Sequence, residues 1–509
     1  MRYGRLAWGV LGFMVIWGSG VGAAGGQTSL MSGLSAGPFR VGYKIIVGRD
    51  ASRSFGSRYD GAGRPQSGLQ ARAMKLHVWY PARPNGRLPM AYAEYIWEAA
   101  ELAAAAPLTA EFRIAAESEY RALPLRRKAA AERLAGLLTS PTRAVRDAAL
   151  SAGRFPLILY APSINADPYE NAVLFEYLAS HGYVVASAPC VGLLEQETGR
   201  NRDGAAAQFE DLRFVLSRAV EEAGVDEERV GALGFSWGGT SVLLLALQHA
   251  GLDAVATLDG AAGFAEYRPV ARSFSSWTPQ NLRAAFLEVL PSDEPREPAF
   301  GGKAKYADWY LWRVPGVRHS DFAADSQMKL RWAASDPAFD RTWAFYIALA
   351  GRLKDFFDAA LKGDRTAAER LKAPAAGPDG SSWAFEASLP PPPTAAEFDR
   401  LIREKGVDAA TAQFDAVRSA NPEAIIFDEA RLLKYAVEWG PERAGDLEKL
   451  LRLQLRAYPD SAEGHFWLAQ VYLAQEDSAR AAAELDIVLK LSPGHDKAKR
   501  LLDKLRKSP

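Results

Sequence analysis

From about Pro38 onward, short runs of consecutive apolar residues alternate with longer stretches in which apolar positions recur every three or four residues. A short run that is apolar throughout predicts a strand buried on both faces, and the three-to-four spacing predicts an amphipathic helix. The strand-like runs cover 157–161, 183–188, 230–235, 254–258, 283–290 and 309–314. Helix-like blocks at 169–180, 205–223 and 240–250 fall between them, and 342–362 reads as a closing helix. This alternation predicts an α/β fold with a doubly wound, mostly parallel sheet. Two earlier segments, 41–47 and 74–80, read as an antiparallel pair. The alanine-rich stretch 92–152 reads as a helical insertion, serving either as a lid or as scaffold.

The pattern changes at 374–394, where Pro374, Gly377, Pro378, Gly380 and four prolines at 390–393 predict a stiff linker. It divides a first domain, 38–373, from a helical one, 395–509. In the latter, Pro459 and Pro493 stand 34 residues apart, the period of tetratricopeptide (TPR) repeats. Leu468, Ala469, Tyr472, Ala481, Leu485 and Val488 fall at the packing positions between them, and a looser unit precedes at Asn421-Pro422. Such a tail would dock a partner protein or a second copy through a concave helical surface.

At the other end, Arg2 and Arg5 precede an apolar stretch, 6–17, and the small residues Gly22-Ala23-Ala24. This is the order of a secretory signal peptide over 1–24. The expectation is an exported protein, periplasmic or secreted, with no integral membrane span after cleavage; an uncleaved N-terminal anchor is the alternative. Composition narrows the partners. With 61 basic and 61 acidic residues and no basic cluster, nothing favours nucleic acid. The single cysteine, Cys190, excludes an intramolecular disulfide and any CxxC site. No phosphate loop, metal cluster or dinucleotide fingerprint stands in the sequence, so neither cofactor nor metal is expected.

Chemistry enters at Gly234-Phe235-Ser236-Trp237-Gly238. A Gly-x-Ser-x-Gly that ends a strand and opens an apolar helix is the context of a nucleophile elbow, which lifts the serine hydroxyl above the sheet. A serine needs a base, and the base needs a carboxylate to orient it. Apart from His249 in the elbow's own helix, the histidines after Ser236 are His319, His465 and His495, and the last two belong to the tail. His319, just past the last strand, is therefore the candidate base. Asp259 and Asp293 each follow a strand and are both candidate acids; spacing does not decide between them. Trp237, Tyr169, Trp277, Trp309 and Trp312 are candidates for either core or an acyl pocket.

Several blocks carry a family resemblance. They are Phe155-Pro156-Leu157-Ile158-Leu159-Tyr160, the run from Leu178-Ala179-Ser180-His181-Gly182 to Ala186, the strand end Trp79-Tyr80-Pro81-Ala82, Leu258-Asp259, and His319 followed by Asp321-Phe322. Over about 38–365 the chain resembles the platelet-activating-factor acetylhydrolase branch of the α/β-hydrolases, whose scaffold is shared by enzymes loosely called dienelactone hydrolases. The resemblance implies that the acid comes from the strand after the elbow, hence Asp259. Relatives carry His-Gly where this chain has Pro162-Ser163; the oxyanion hole is expected from the backbone N–H groups of Ile164 and Trp237. Dienelactone hydrolases proper use a cysteine nucleophile, and the serine here means that their activity is not implied. Cys190 reads as a core-edge residue.

These features predict an exported serine ester hydrolase (carboxylesterase or acetylhydrolase-like) acting on a small-molecule or lipid ester. Within enzymes, peptidase or thioesterase activity is the alternative. Outside them, the alternative is an impaired hydrolase fold whose TPR-like tail is the working part.

Overall fold

The computed structural model describes residue 30 and residues 33–507, apart from 56–69, 85, 105–108, 127–130, 194–196, 223, 250, 334–336 and 373–379. The segment read as a signal peptide, 1–24, lies outside the described residues, as do Pro374, Gly377 and Pro378 of the linker.

Apolar runs bounded by turn residues become strands: β1 (Arg40–Phe55), β2 (Gln70–Ala82), β3 (Ala144–Arg146), β4 (Phe155–Ala161), β5 (Val184–Ser187), β6 (Val225–Phe235), β7 (Ala254–Leu258), β8 (Ala285–Pro291), β9 (Trp309–Val314) and β10 (Ser382–Glu386). They form one sheet in the order β10-β9-β8-β7-β6-β4-β5-β2-β1-β3. The six central strands, β5 to β9 in that order, run parallel. β1 and β2 pair antiparallel, as the sequence predicts, and β2 joins β5 antiparallel.

Among the described residues, ten α-helices accompany the sheet: α1 (Tyr92–Ala104), α2 (Ala110–Arg126), α3 (Ala131–Thr139), α4 (Ala172–Ser180), α5 (Arg202–Val220), α6 (Trp237–Gln248), α7 (Arg268–Arg272), α8 (Ala324–Ala333), α9 (Pro337–Lys362) and α10 (Arg365–Lys372). Side chains alternate across a strand, so β4 feeds two cores. Ile158 and Tyr160 pack with Phe175 of α4 and Phe357 of α9. Leu157 and Leu159 pack with Leu212 of α5 and Leu243 of α6. Each fully buried side chain of this size contributes roughly 1.5–3 kcal/mol of transfer free energy. The sheet is mostly parallel and covered on both faces, as the sequence predicts.

Two segments differ from the sequence reading. The region 92–152 is helical only to residue 139; beyond it Ala144–Arg146 pairs with β1 as a parallel strand. Within the segment read as a linker, Ser382–Glu386 forms β10, which pairs antiparallel with β9. The sheet therefore runs past residue 373, and only the stretch around the four prolines bridges to the tail.

The tail comprises α11 (Ala395–Ala420), α12 (Lys434–Glu438), α13 (Ala444–Ala457), α14 (Ala462–Ala474), α15 (Ser478–Leu491) and α16 (Asp496–Lys507). Thr394 and Glu397 form a reciprocal capping box at its start. Gly406, at φ 86°, breaks α11. The tail has its own core around Phe398, Ile402, Leu450 and Tyr472. It touches the sheet-bearing unit where Asn421 Nδ2 donates to the Tyr306 hydroxyl at 3.1 Å. Among the described residues, no helix is long and apolar enough to cross a membrane.

Candidate active site

Strand register places the site. Phe235 of β6 pairs with Leu258 of β7, which pairs with Val289 of β8. The residues that follow, Ser236 and Asp259, therefore emerge side by side at the carboxyl edge of the sheet, where ligands of open α/β sheets bind. β9 ends in register with β8, Val314 opposite Pro291, and the loop after it brings His319 to the same edge.

Ser236 sits at φ 55°, ψ −118°, strained backbone of the kind a nucleophile elbow stores. Local hydrogen bonds over-determine it. Its N–H donates to the Leu258 carbonyl at 3.0 Å, and its carbonyl accepts from the N–H groups of Gly239 at 3.0 Å and Ala261 at 2.7 Å. A Cβ on Gly234 would lie 2.3 Å from the Gly238 carbonyl oxygen, so the turn closes only on glycine. Directly after Ser236, α6 begins, and its dipole favours negative charge at that point.

The three residues proposed from sequence come together. Ser236 Oγ lies 2.9 Å from His319 Nε2, and His319 Nδ1 lies 2.6 Å from Asp259 Oδ2. Asp259 is fully buried, whereas the His319 side chain is 36 % exposed and faces the cleft. Phe235 packs against the imidazole at a centroid distance of 4.9 Å and Phe264 meets it edge-on at 5.4 Å. Asp293, the other candidate acid, instead accepts a hydrogen bond from the Gly316 N–H at 2.5 Å. Cys190 is buried against Thr198, and burial pushes its thiol up to about 12.

A cleft of about 600 Å³ opens over the serine. Ile164 and Trp237, the residues expected to supply oxyanion N–H groups, both line it, as do Phe264, Tyr267 and Tyr169. Trp277, Trp309 and Trp312 are not among the residues lining it; Trp277 packs on Phe300 and Trp312 on Phe345.

The loop carrying Pro162-Ser163 is held by buried polar groups. Glu170 Oε1 accepts from the Ser163 N–H and from the Tyr160 hydroxyl, both at 2.7 Å, and Oε2 accepts from the Ser163 hydroxyl at 2.7 Å. Pro162 offers its carbonyl to Gln208 Nε2 at 2.8 Å. Burial pushes the Glu170 carboxyl up to about 7, against these three donors. The proline supplies no N–H, but the loop it belongs to is anchored on both sides.

Asp167 and Asp325 also line the cleft. Asp325 accepts from the hydroxyls of Tyr120 at 2.6 Å and Tyr92 at 3.1 Å and pairs with Lys329 at 2.6 Å. Burial and the Asp325 charge push the neighbouring Asp167 up to about 6. Two residues that sequence reasoning missed also serve the site, Glu170 and Arg296. Arg296 Nε donates to Asp259 Oδ1 at 2.9 Å. No motif announces either; Arg296 meets its partner only through the fold. Among the described residues, no group of three or more His, Cys, Asp or Glu is placed to hold a metal ion.

No curated protein matches the sequence. In fold, the chain is similar to a ferulic acid esterase from Streptomyces cinnamoneus, at 20 % identity and a TM-score of 0.47, covering 70 % of this chain and 99 % of the esterase. Residues 71–344 match the family described as X-Pro dipeptidyl-peptidase (S15 family). That match spans more than half of the sequence, and the chain belongs to the X-Pro dipeptidyl-peptidase (S15) family of serine hydrolases.

Proposed function

We propose that this chain is an exported serine hydrolase acting on carboxylic esters through Ser236, His319 and Asp259. The observation that carries the proposal is the unbroken hydrogen-bond relay from Ser236 Oγ through His319 to the buried Asp259. His319 Nε2 takes the hydroxyl proton as Oγ attacks the carbonyl, and Asp259 fixes the tautomer and stabilises the imidazolium. The N–H groups of Ile164 and Trp237 would receive the oxyanion, a role worth roughly 3 kcal/mol of barrier per donor. The imidazolium then protonates the leaving alcohol, and water, activated by the same histidine, releases the acid from the acyl-enzyme. The resemblance to the platelet-activating-factor acetylhydrolase branch and the aromatic wall of Trp237, Tyr267 and Phe264 support an ester with an apolar acyl part. The N-terminal pattern supports export. The tail, with α14 and α15 within one 34-residue period, supports a TPR-like partner-binding or self-association surface.

A second reading is a peptidase. The family match favours it, and so does Asp167, a carboxyl lining the cleft that suits a protonated amine. Hydrolysis of p-nitrophenyl esters from acetyl to decanoyl, beside an Xaa-Pro p-nitroanilide, separates the two. A larger kcat/KM on esters supports the proposal, and a larger value on the anilide replaces it with the peptidase.

A further inference from the structure

The Asp259 carboxylate is shared. Its Oδ2 serves His319, and its Oδ1 accepts from Arg296 Nε at 2.9 Å. The Arg296 side chain is only 9 % exposed, and its guanidinium lies 3.4 Å from the centroid of Phe264, the ring that meets His319 edge-on. The guanidinium thus touches both supports of the imidazole. Arg296 is itself held firmly. Its Nη2 pairs with Glu294 at 2.5 Å, its carbonyl accepts from Arg313 Nη2 at 3.1 Å, and the next N–H, on Glu297, donates to the Gly263 carbonyl at 3.2 Å. These bonds tie the loop after β8 to the loop after β7, each a continuation of a strand at the site's edge.

We propose that Arg296 is a positioning residue: it locks the Asp259 carboxylate in the orientation that presents Oδ2 to His319, and it tempers the negative charge the imidazole feels. This rests on the reading of Asp259 as the triad acid. A buried carboxylate with one oxygen unpartnered would turn or draw in water, because an unpaired polar atom there is costly. A fork-shaped cation stacked on an aromatic face prevents both. The titratable groups around the pair are Glu294 on the guanidinium, Glu288 of β8 near Asp259, and Arg313. None of them replaces the Arg296 bond to Oδ1.

The test uses the full chain, kcat and KM on p-nitrophenyl acetate, and the pH profile of kcat/KM for wild type, R296M, R296Q and D259N. In R296M, kcat should fall about 10- to 100-fold, the scale of lost orientation, with KM changed less than roughly threefold. The acid limb should also move upward. Without the guanidinium, the Asp259 charge acts wholly on the imidazole, which then keeps its proton to higher pH, and the proton-free form is the working base. R296Q keeps a donor without the charge, so it should retain more kcat than R296M and show the same limb shift. If R296M does not fold, R296Q carries both readouts. A wild-type kcat and an unmoved limb in the folded variants overturn the inference, as does a loss confined to KM. A D259N variant as active as wild type overturns the triad reading itself, whereas an inactive D259N beside unaffected Arg296 variants overturns only the role of Arg296.

Discussion

Gly238 and Ala161 approach so closely that a methyl group on Gly238 would lie 2.0 Å from the Ala161 carbonyl oxygen and 2.7 Å from that of Pro162. The elbow and the oxyanion loop are therefore packed backbone to backbone, and a side chain at 238 must push that loop away. G238A should lower kcat by about 100-fold, the effect of misplacing one oxyanion donor. Overpacking of this kind should cost roughly 1–3 kcal/mol of stability. Parallel thermal melts and turnover assays check this; a folded G238A with wild-type kcat would show that the loop takes no part in turnover.

Glu170 accepts three donors on the other side of the same loop. In E170M all three donors lose their shared acceptor. We expect about 1–3 kcal/mol of lost stability in urea unfolding, and a kcat reduced about tenfold through the displaced Ile164. Unchanged values for both quantities would remove Glu170 from the account.

The two candidate acids differ in what they touch. Asp259 meets His319, whereas Asp293 caps the Gly316 loop near the surface. D259N should cost about 10⁴-fold in kcat through the wrong imidazole tautomer. D293N should stay within a few-fold of wild type, and steady-state assays on p-nitrophenyl acetate compare them directly. The reverse order would move the acid to Asp293.

Buried carboxylates set a pH dependence of stability. Burial pushes Glu170 and Glu176 up to about 7 and Glu288 up to about 8. The folded chain thus keeps protons that the unfolded chain has released by about pH 5, so stability falls as pH rises toward 8. His77, held near 3 by burial, acts oppositely, but only below about pH 6.5. Asp167, pushed up to about 6, acts in the same direction as the glutamates, so the melting temperature should drop between pH 6.5 and 8. E288Q mimics the protonated acid, and its Oε1 can still accept from the Ala299 N–H at 2.9 Å. Its melting temperature should fall less over the same window; a slope identical to wild type would contradict the assignment to Glu288.

Much of this architecture is legible in the sequence, for physical reasons that also mark where legibility stops. The central strands are apolar on both faces because helices cover both, and their runs match β4 to β9 to within a few residues except at the start of β6. Ser236 is announced by local turn chemistry, and His319 by scarcity, since few histidines follow the elbow. Spacing could not choose Asp259 over Asp293, because adjacent parallel strands deliver both to one edge; the side chains separate them only in space. β10 was hidden for another reason. An edge strand needs one free partner edge more than a strong pattern of its own, and Ser382–Glu386 is exposed or half-buried. Arg296 and Glu170 carry no motif, since their roles depend on contacts that the loops make after folding.

The central claim is that Ser236 is the nucleophile. Its most direct test is turnover of p-nitrophenyl esters by the wild-type chain and by S236A, with circular dichroism to show that both fold alike. The account predicts hydrolysis by the wild type and a loss of about 10⁴-fold or more in S236A. A folded S236A that keeps wild-type turnover would contradict it, and so would a folded wild-type chain inert toward esters and Xaa-Pro anilide alike.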